Sequence, residues 1–383
     1  MASLLLVDFA DELFTFLPTG TIAAIRDDLD LSYAQAGTLL TLLASGGLIG
    51  TAATVAADFV SRRLLASLGA LVYGGCLLAF ALGDSFVVLA VAAFIWGAAS
   101  DAFVHGSQLA LADLAGDELE QTLARANLLG AVGDLAGPVV AAVALATALG
   151  WRGAFAIGGV LMLAYGAWLG CQPLPRPRPD GATPWSAIRD VARDRRVWWL
   201  AAFLGVAETL DEPFLGFLIA HLTGVRGVSG ATAALVVGSS LVGALVGYLG
   251  LASRSLPAGT AFLAGSTAQL VTVPAMVLVP APAVVAVAAF AFGAAGAVLW
   301  VTLQTSVLRV RPGQAGTTWA VVATLSLPGL AFAPVVGAAA DRWGLDTGIA
   351  FYVFVPVVML ALLAVHPLRS LRPWRRPSSS SRR

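Results

Sequence analysis

Apolar stretches of about 20 residues recur along this chain from one end to the other, and a helix of that length crosses the hydrocarbon core of a bilayer. They read as spans at 2–25, 34–56, 64–83, 86–111, 121–148, 152–171, 197–221, 231–252, 257–279, 281–306, 314–340 and 345–366. Composition agrees: 58% of residues are hydrophobic and 11% charged, against about 25% charged in a soluble domain. The mean hydropathy is +0.87. Transmembrane β-strands alternate polar and apolar residues over about 10 positions, and none of these runs does. The expected class is an all-α integral membrane protein with twelve transmembrane helices.

The first run carries Asp8, Asp11 and Glu12 and lacks a basic leader, so it does not read as a cleavable signal peptide. Cys76 and Cys171 fall in apolar spans without a Cys-x-x-Cys pattern. The chain has no lysine, and its 22 basic residues are all arginine. With the N-terminus cytoplasmic, 18 of the 22 lie inside and only Arg26, Arg152, Arg226 and Arg342 outside. Positive-inside bias therefore places both termini in the cytoplasm of a cell-membrane protein. A net charge of zero argues against a nucleic-acid partner.

The polar interruption at 172–196, "QPLPRPRPDGATPWSAIRDVARDRR", opens as an extended Pro/Arg linker, and its end, from Pro184 to Arg196, reads as a short amphipathic helix on the inner leaflet. It yields an N-terminal six-helix bundle (1–172), a cytoplasmic linker (173–196), a C-terminal six-helix bundle (197–366) and a basic tail (367–383). The bundles are repeats. "AVAAFIWGAAS" at 90–100 returns as "AVAAFAFGAAG" at 286–296, "GPVV" at 137–140 as "APVV" at 333–336, and Gln108 as Gln304, all at an offset of 196. Asp8, Asp11 and Glu12 return as Glu208, Asp211 and Glu212 at an offset of 200. Parallel repeats put a substrate site between the halves at mid-membrane.

Two segments resemble signatures of the major facilitator superfamily. "TVAADFVSRRLL" at 54–65 is similar to the family's loop between helices 2 and 3 through Asp58, Arg62 and Arg63, with Thr54 and Ser61 where glycines are usual. The resemblance implies a cytoplasmic charge gate at these residues. "GAVGDLAGP" at 130–138 resembles the family's helix-5 antiporter signature through Gly133, Gly137 and Pro138. Small residues four apart permit close helix approach, and the proline removes a backbone donor. The family fold is the major facilitator fold, two parallel six-helix repeats in which helices 1, 4, 7 and 10 line the central cavity.

The acidic triads carry the functional expectation. Residues 8, 11 and 12, like 208, 211 and 212, are spaced to share one face of a helix. A charge at the bilayer centre costs on the order of 3 kcal/mol, and crowding like charges in a low dielectric favours their protonated forms. Asp11, Glu12, Asp211 and Glu212 are the expected proton-coupling cluster, with Asp8 and Glu208 nearer the interface. Asp101 and His105 lie one turn apart on helix 4, and Asp134 sits within helix 5; chains of such groups serve as proton relays. Gln108 and Gln304 are expected to offer amides to the cavity, while Trp96 and Trp300 suit packing or a substrate platform.

No arginine lies in the middle of any span, which disfavours an organic anion as substrate. The expected function is secondary transport of a small neutral or cationic organic solute by alternating access, as proton-coupled export (antiport). The helix-1 segment also resembles drug exporters of the superfamily, including the fosmidomycin-resistance type. The alternative is proton-coupled uptake of a neutral metabolite such as a sugar or nucleoside; a divalent-metal transporter lacks the dense Asp/His/Met helices it needs. No nucleophile motif and only three histidines argue against an enzyme. The expected partners are a small-molecule substrate, protons and the lipid bilayer, with no cofactor, no metal and a monomeric state.

Overall fold

The computed structural model describes residues 1–31, 33–56, 58–175 and 183–365. Among the described residues every regular element is helical. The first six helices are α1 (Ala2–Asp28), α2 (Tyr33–Ala56), α3 (Arg62–Leu82), α4 (Phe86–Ala115), α5 (Leu119–Ala146) and α6 (Gly150–Gly170). Serines open two of them. Ser61 accepts from the Leu64 N–H at 3.2 Å and Ser85 from the Val88 N–H at 3.4 Å, each satisfying a first-turn donor that has no helical partner. Eight described helical stretches are long and apolar enough to cross a membrane.

The chain divides into two compact units. The first comprises Met1–Asp194 with Tyr248–Ser255 and Gly313–Thr324; the second comprises Arg195–Gly247, Leu256–Pro312 and Leu325–Arg383. In the first unit α1 packs on α5, α2 on α4, and α3 on both α4 and α6. Its core is aromatic. Trp96, fully buried, sits 5.0 Å from Tyr73 and 5.6 Å from Phe80 between ring centroids, and Phe80 stacks on Phe155 at 5.0 Å. Trp96 is therefore a packing residue. The outward faces stay apolar: Leu82 is 76% and Val87 67% exposed, as expected of helices solvated by lipid.

After the linker come α7 (Pro184–Ala192), which has a Thr183/Ser186 capping box, then α8 (Arg195–Glu208), α9 (Glu212–Gly224), α10 (Gly230–Ser253), α11 (Ala258–Leu278) and α12 (Pro282–Val310). The chain closes with α13 (Ala315–Ser326), α14 (Phe332–Trp343), α15 (Leu345–Ala350) and α16 (Val355–Val365). Three expected spans are thus interrupted. The run 197–221 breaks between α8 and α9, 314–340 is split by a 3-10 turn at Leu327–Ala331, and 345–366 by another at Phe351–Phe354. The first break has a plain cause. Pro213 has no N–H to offer the Thr209 carbonyl, and the chain tightens to i→i+3 bonds from Thr209, Leu210 and Asp211 to Val206, Ala207 and Glu208.

The first two breaks meet inside the second unit. A Cβ on Gly329 would collide with the Gly205 carbonyl oxygen, and one on Gly205 would lie 2.8 Å from that of Ser326. Backbone rests on backbone there, and no side chain fits. Gly329→Ala is expected to destabilise the protein by about 2 kcal/mol through forced separation of the two segments. Thermal unfolding of the purified protein in detergent measures this, and unchanged melting would contradict the contact.

Candidate proton and substrate site

The continuity of α1 sets the geometry of the first unit's acidic cluster. Asp8, Asp11 and Glu12 lie on one stretch of unbroken helix, and the bend-prone Pro18 falls beyond them. Asp8 is buried, 8% exposed, while Asp11 and Glu12 are partly exposed. Asp11 is the most firmly held. Ser100 of α4 donates its hydroxyl to Asp11 Oδ1 at 2.6 Å, and the Tyr73 hydroxyl of α3 donates to the Asp11 backbone carbonyl at 3.3 Å while lying 3.1 Å from Thr15 Oγ1. The Gln108 amide adjoins both Asp8 and His105. The His105 ring in turn lies 5.8 Å from the Trp319 ring of α13. Asp101 completes the set through its electrostatic contact with Asp11.

Helix α5 supplies the remaining acid. The Asp134 carboxyl adjoins that of Glu12, an approach that depends on the glycines beside it. A Cβ on Gly133 would lie 2.5 Å from the Phe9 carbonyl oxygen and 3.2 Å from Glu12 Cβ, and one on Gly137 would lie 2.7 Å from Phe16 Cβ. The two motif glycines therefore form the seat of α1, and Pro138 lies within α5 without ending it. Among the described residues no guanidinium pairs with Asp8, Asp11 or Glu12.

The matching triad of the second unit is arranged differently. Glu208 is the last residue of α8, Asp211 stands in the break, and Glu212 opens α9. The expectation that 208, 211 and 212 share one helical face is corrected by that break, since helical spacing no longer relates them. Glu208 Oε2 accepts from the Ser326 hydroxyl at 3.3 Å, and Asp211 is exposed. Gln304 is buried in α12 at 1% exposure, unlike the partly exposed Gln108.

The α2–α3 turn forms a second charged network. Arg62, 3% exposed, lies 3.7 Å from Asp58 Oδ1 and 3.2 Å from Asp113 Oδ2. Asp58 accepts from the N–H groups of Gly316 at 2.9 Å and Thr317 at 2.6 Å. These are first-turn donors of α13, where a helix carries partial positive charge. Burial pushes the Asp58 carboxyl above its ordinary range, against the pull of those N–H groups and of Arg62. Arg63 is exposed and makes none of these contacts. Sequence reasoning found Asp58 and Arg62 but missed Asp113, Gly316 and Thr317, as it missed Ser100, Tyr73 and Ser326. Ser100, beside Asp101, and Tyr73, within an apolar span, are polar signals that the sequence carries.

A helical membrane protein in two units, with carboxyls facing one another inside its first bundle, has the form of a secondary transporter. Residues 4–334 match the Major Facilitator Superfamily, and the chain belongs to that family: it is a transporter and not an enzyme. Its fold is similar to crystal structures of the major facilitator transporter FucP in the outward conformation (16% identity over 95% of this chain and 97% of that one, TM-score 0.72) and of a singly substituted form of the E. coli fucose:proton symporter FucP (14%, 94% and 98%, 0.74). The human organic anion transporter MFSD10 (TETRAN) is also similar, at 21% identity over 94% of this chain and 97% of that one, TM-score 0.64. No protein of curated function matches the sequence.

Replacing Asp58 by Ala removes the acceptor of two α13 amides and takes from the buried Arg62 one of its acidic neighbours. Amide exchange at Gly316 and Thr317 is expected to rise at least tenfold, because a helix end without its cap frays. Hydrogen–deuterium exchange over 313–324 reads this directly, and unchanged protection would mean that Asp58 does not hold the α13 end.

Proposed function

We propose that this protein is a proton-coupled exporter in the cell membrane, exchanging protons for a small neutral or cationic organic solute by alternating access. The observation that carries the reading is the group of four carboxyls, Asp8, Asp11, Glu12 and Asp134, gathered between α1 and α5 with no arginine paired to Asp8, Asp11 or Glu12 among the described residues. Carboxyls as close as those of Glu12 and Asp134 repel one another when both are charged, and in this reading a proton taken up by the cluster relieves that repulsion. A cationic solute competes with that proton for the same negative charge; a neutral one gains hydrogen bonds when the proton moves. An organic anion, the substrate class named for MFSD10, gains no attraction from the acids of this cluster.

In this reading α8–α9, α13–α14 and α15–α16 each form one interrupted span, so that the chain crosses twelve times in two six-helix repeats, 1–172 and 197–366. The segment 173–196 is a cytoplasmic linker and 367–383 a cytoplasmic basic tail; both termini are cytoplasmic and the protein acts as a monomer. Asp211, Glu212 and Glu208 are the acids of the second half, Asp101, His105, Gln108 and Gln304 assist, and Gly133, Gly137 and Pro138 keep α5 close to α1. Asp58 and Arg62 serve as a cytoplasmic gate. A buried ion pair contributes little net stability because desolvation offsets attraction, which suits a contact that must open in every cycle. A second reading, proton-driven uptake of a neutral solute, draws support from the likeness to a fucose:proton symporter; it uses the same residues with the opposite net flux.

The experiment is resistance or accumulation in an efflux-deficient bacterial host across cationic, neutral and anionic compounds. Asp11→Asn keeps an acceptor for Ser100 and so preserves the fold, yet removes the proton-binding charge; it is expected to cut proton-driven transport by at least tenfold at equal expression. Normal proton-driven transport in the quadruple variant Asp11→Asn, Glu12→Gln, Asp211→Asn, Glu212→Gln would overturn the proposal. Accumulation of a neutral solute, in place of resistance, would select uptake.

A further inference from the structure

The last turns of α3 and α11 are equivalent under the repeat, and both end on a guanidinium. In the first unit Arg152 Nη1 donates to the carbonyls of Ala81 at 3.0 Å and Gly83 at 2.9 Å. In the second, Arg226 donates to the carbonyls of Val277 and Val279. Those acceptors are 196 residues apart in each case, the offset that relates the two halves. Carbonyls at a helix C-terminus have no intrahelical donor and carry partial negative charge, so a cation there satisfies both needs.

The two guanidinium groups do not come from equivalent places. Arg152 lies in the first turn of α6, and it reaches back to Asp28, the last residue of α1, at 3.1 Å. Arg226 follows the end of α9, and Asp346, in the first turn of α15, is placed at that end by geometry through His221 of α9, whose Nδ1 lies 3.2 Å from Asp346 Oδ1; its charge reaches Arg226 without an ion pair among the described residues. Base and acid have changed places between the end of α1 or α9 and the helix that opens the last span of the unit. The second contacts differ: Arg152 also meets Asp84 at 3.1 Å, whereas Asp346 lies 3.2 Å from the His221 imidazole of α9.

We propose that Arg152 with Asp28, and Arg226 with Asp346, are one duplicated clamp of opposite polarity. Each ties the far end of α1, or of α9, which Glu212 opens, to the C-terminus of its scaffold helix and to the start of the unit's last span. What the fold conserves at this point is a guanidinium on two named carbonyls with an acid beside it, whichever helix supplies which. The clamp is a positioning device and holds whether the protein exports or imports.

The test is a charge exchange within each unit, read as apparent melting temperature of the full chain in detergent by intrinsic fluorescence. Asp28→Arg and Arg152→Asp, made singly, are each expected to lower it by roughly 3 °C. Made together they give the first unit the polarity of the second and are expected to restore melting to the wild-type value. Arg226→Asp with Asp346→Arg is the mirror experiment, with the same expectation. A structural defect without the clamp predicts losses that add. Additive loss in either exchanged pair would overturn the equivalence, and where a single variant fails to accumulate, the exchanged pair measured against wild type still decides.

Discussion

A carboxyl group placed in a bilayer costs on the order of 3 kcal/mol, and α1 carries three within five residues. The contact that makes this tolerable is the close seat of α1 on α5. Gly133 and Gly137 bring the two backbones near enough that Glu12 reaches Asp134 and that Asp8 is covered. From their side α3 and α4 supply Tyr73 and Ser100. Each acid is thereby given a donor, a partner acid or an amide instead of lipid. The glycines of α5 do not merely kink or thin a helix; they decide whether the acids of α1 have neighbours at all.

The same economy explains the arginines that depart from the proposed orientation. Arg152 and Arg226 are the ones held most fully, each bound to two helix-terminal carbonyls with an acid nearby. Arg152 also lies 4.5 Å over the Trp151 ring, and Arg342 lies 5.8 Å over that of Trp343. A cation committed to local partners weighs less in the charge asymmetry between loops than one in an open loop, because its charge is already offset.

Much of the architecture is legible in the chain because hydropathy and repeat offset are one-dimensional. The apolar runs place the helices, and the offset of 196 extends to the helix ends at Ala81 and Val277, which differ in residue type. Helix continuity is another matter. Hydropathy ran straight through 197–221 and 314–340, since it measures how greasy a stretch is and not whether its hydrogen bonds close. Pro213 and Pro328 are the local signals of the two breaks, and an average over the apolar run hides them. In the site, the acids are legible because charge in an apolar helix is rare. Their partners are not, because a serine in α4 or an amide at Gly316 looks ordinary until the fold brings it to a carboxylate, in the latter case 258 residues away.

The two acidic triads share one spacing, and a single proline position separates their geometry. "DELFTFLP" keeps its proline seven residues after Asp11, where α1 absorbs it. In "DEPFLGFL" Pro213 follows Glu212 at once, so that Asp211, Glu212 and Pro213 take the N-cap, first and second positions of a new helix. Acid at the cap and first turn and proline just inside are what a helix start favours. The acids that burden a continuous α1 therefore stabilise the beginning of α9, and they are no longer bound to one face. A rigid, donor-lined cluster in one half and a jointed one in the other give the duplicated fold two unlike acidic sites from nearly the same letters. The joint sits where Gly205 and Gly329 allow two interrupted helices to cross.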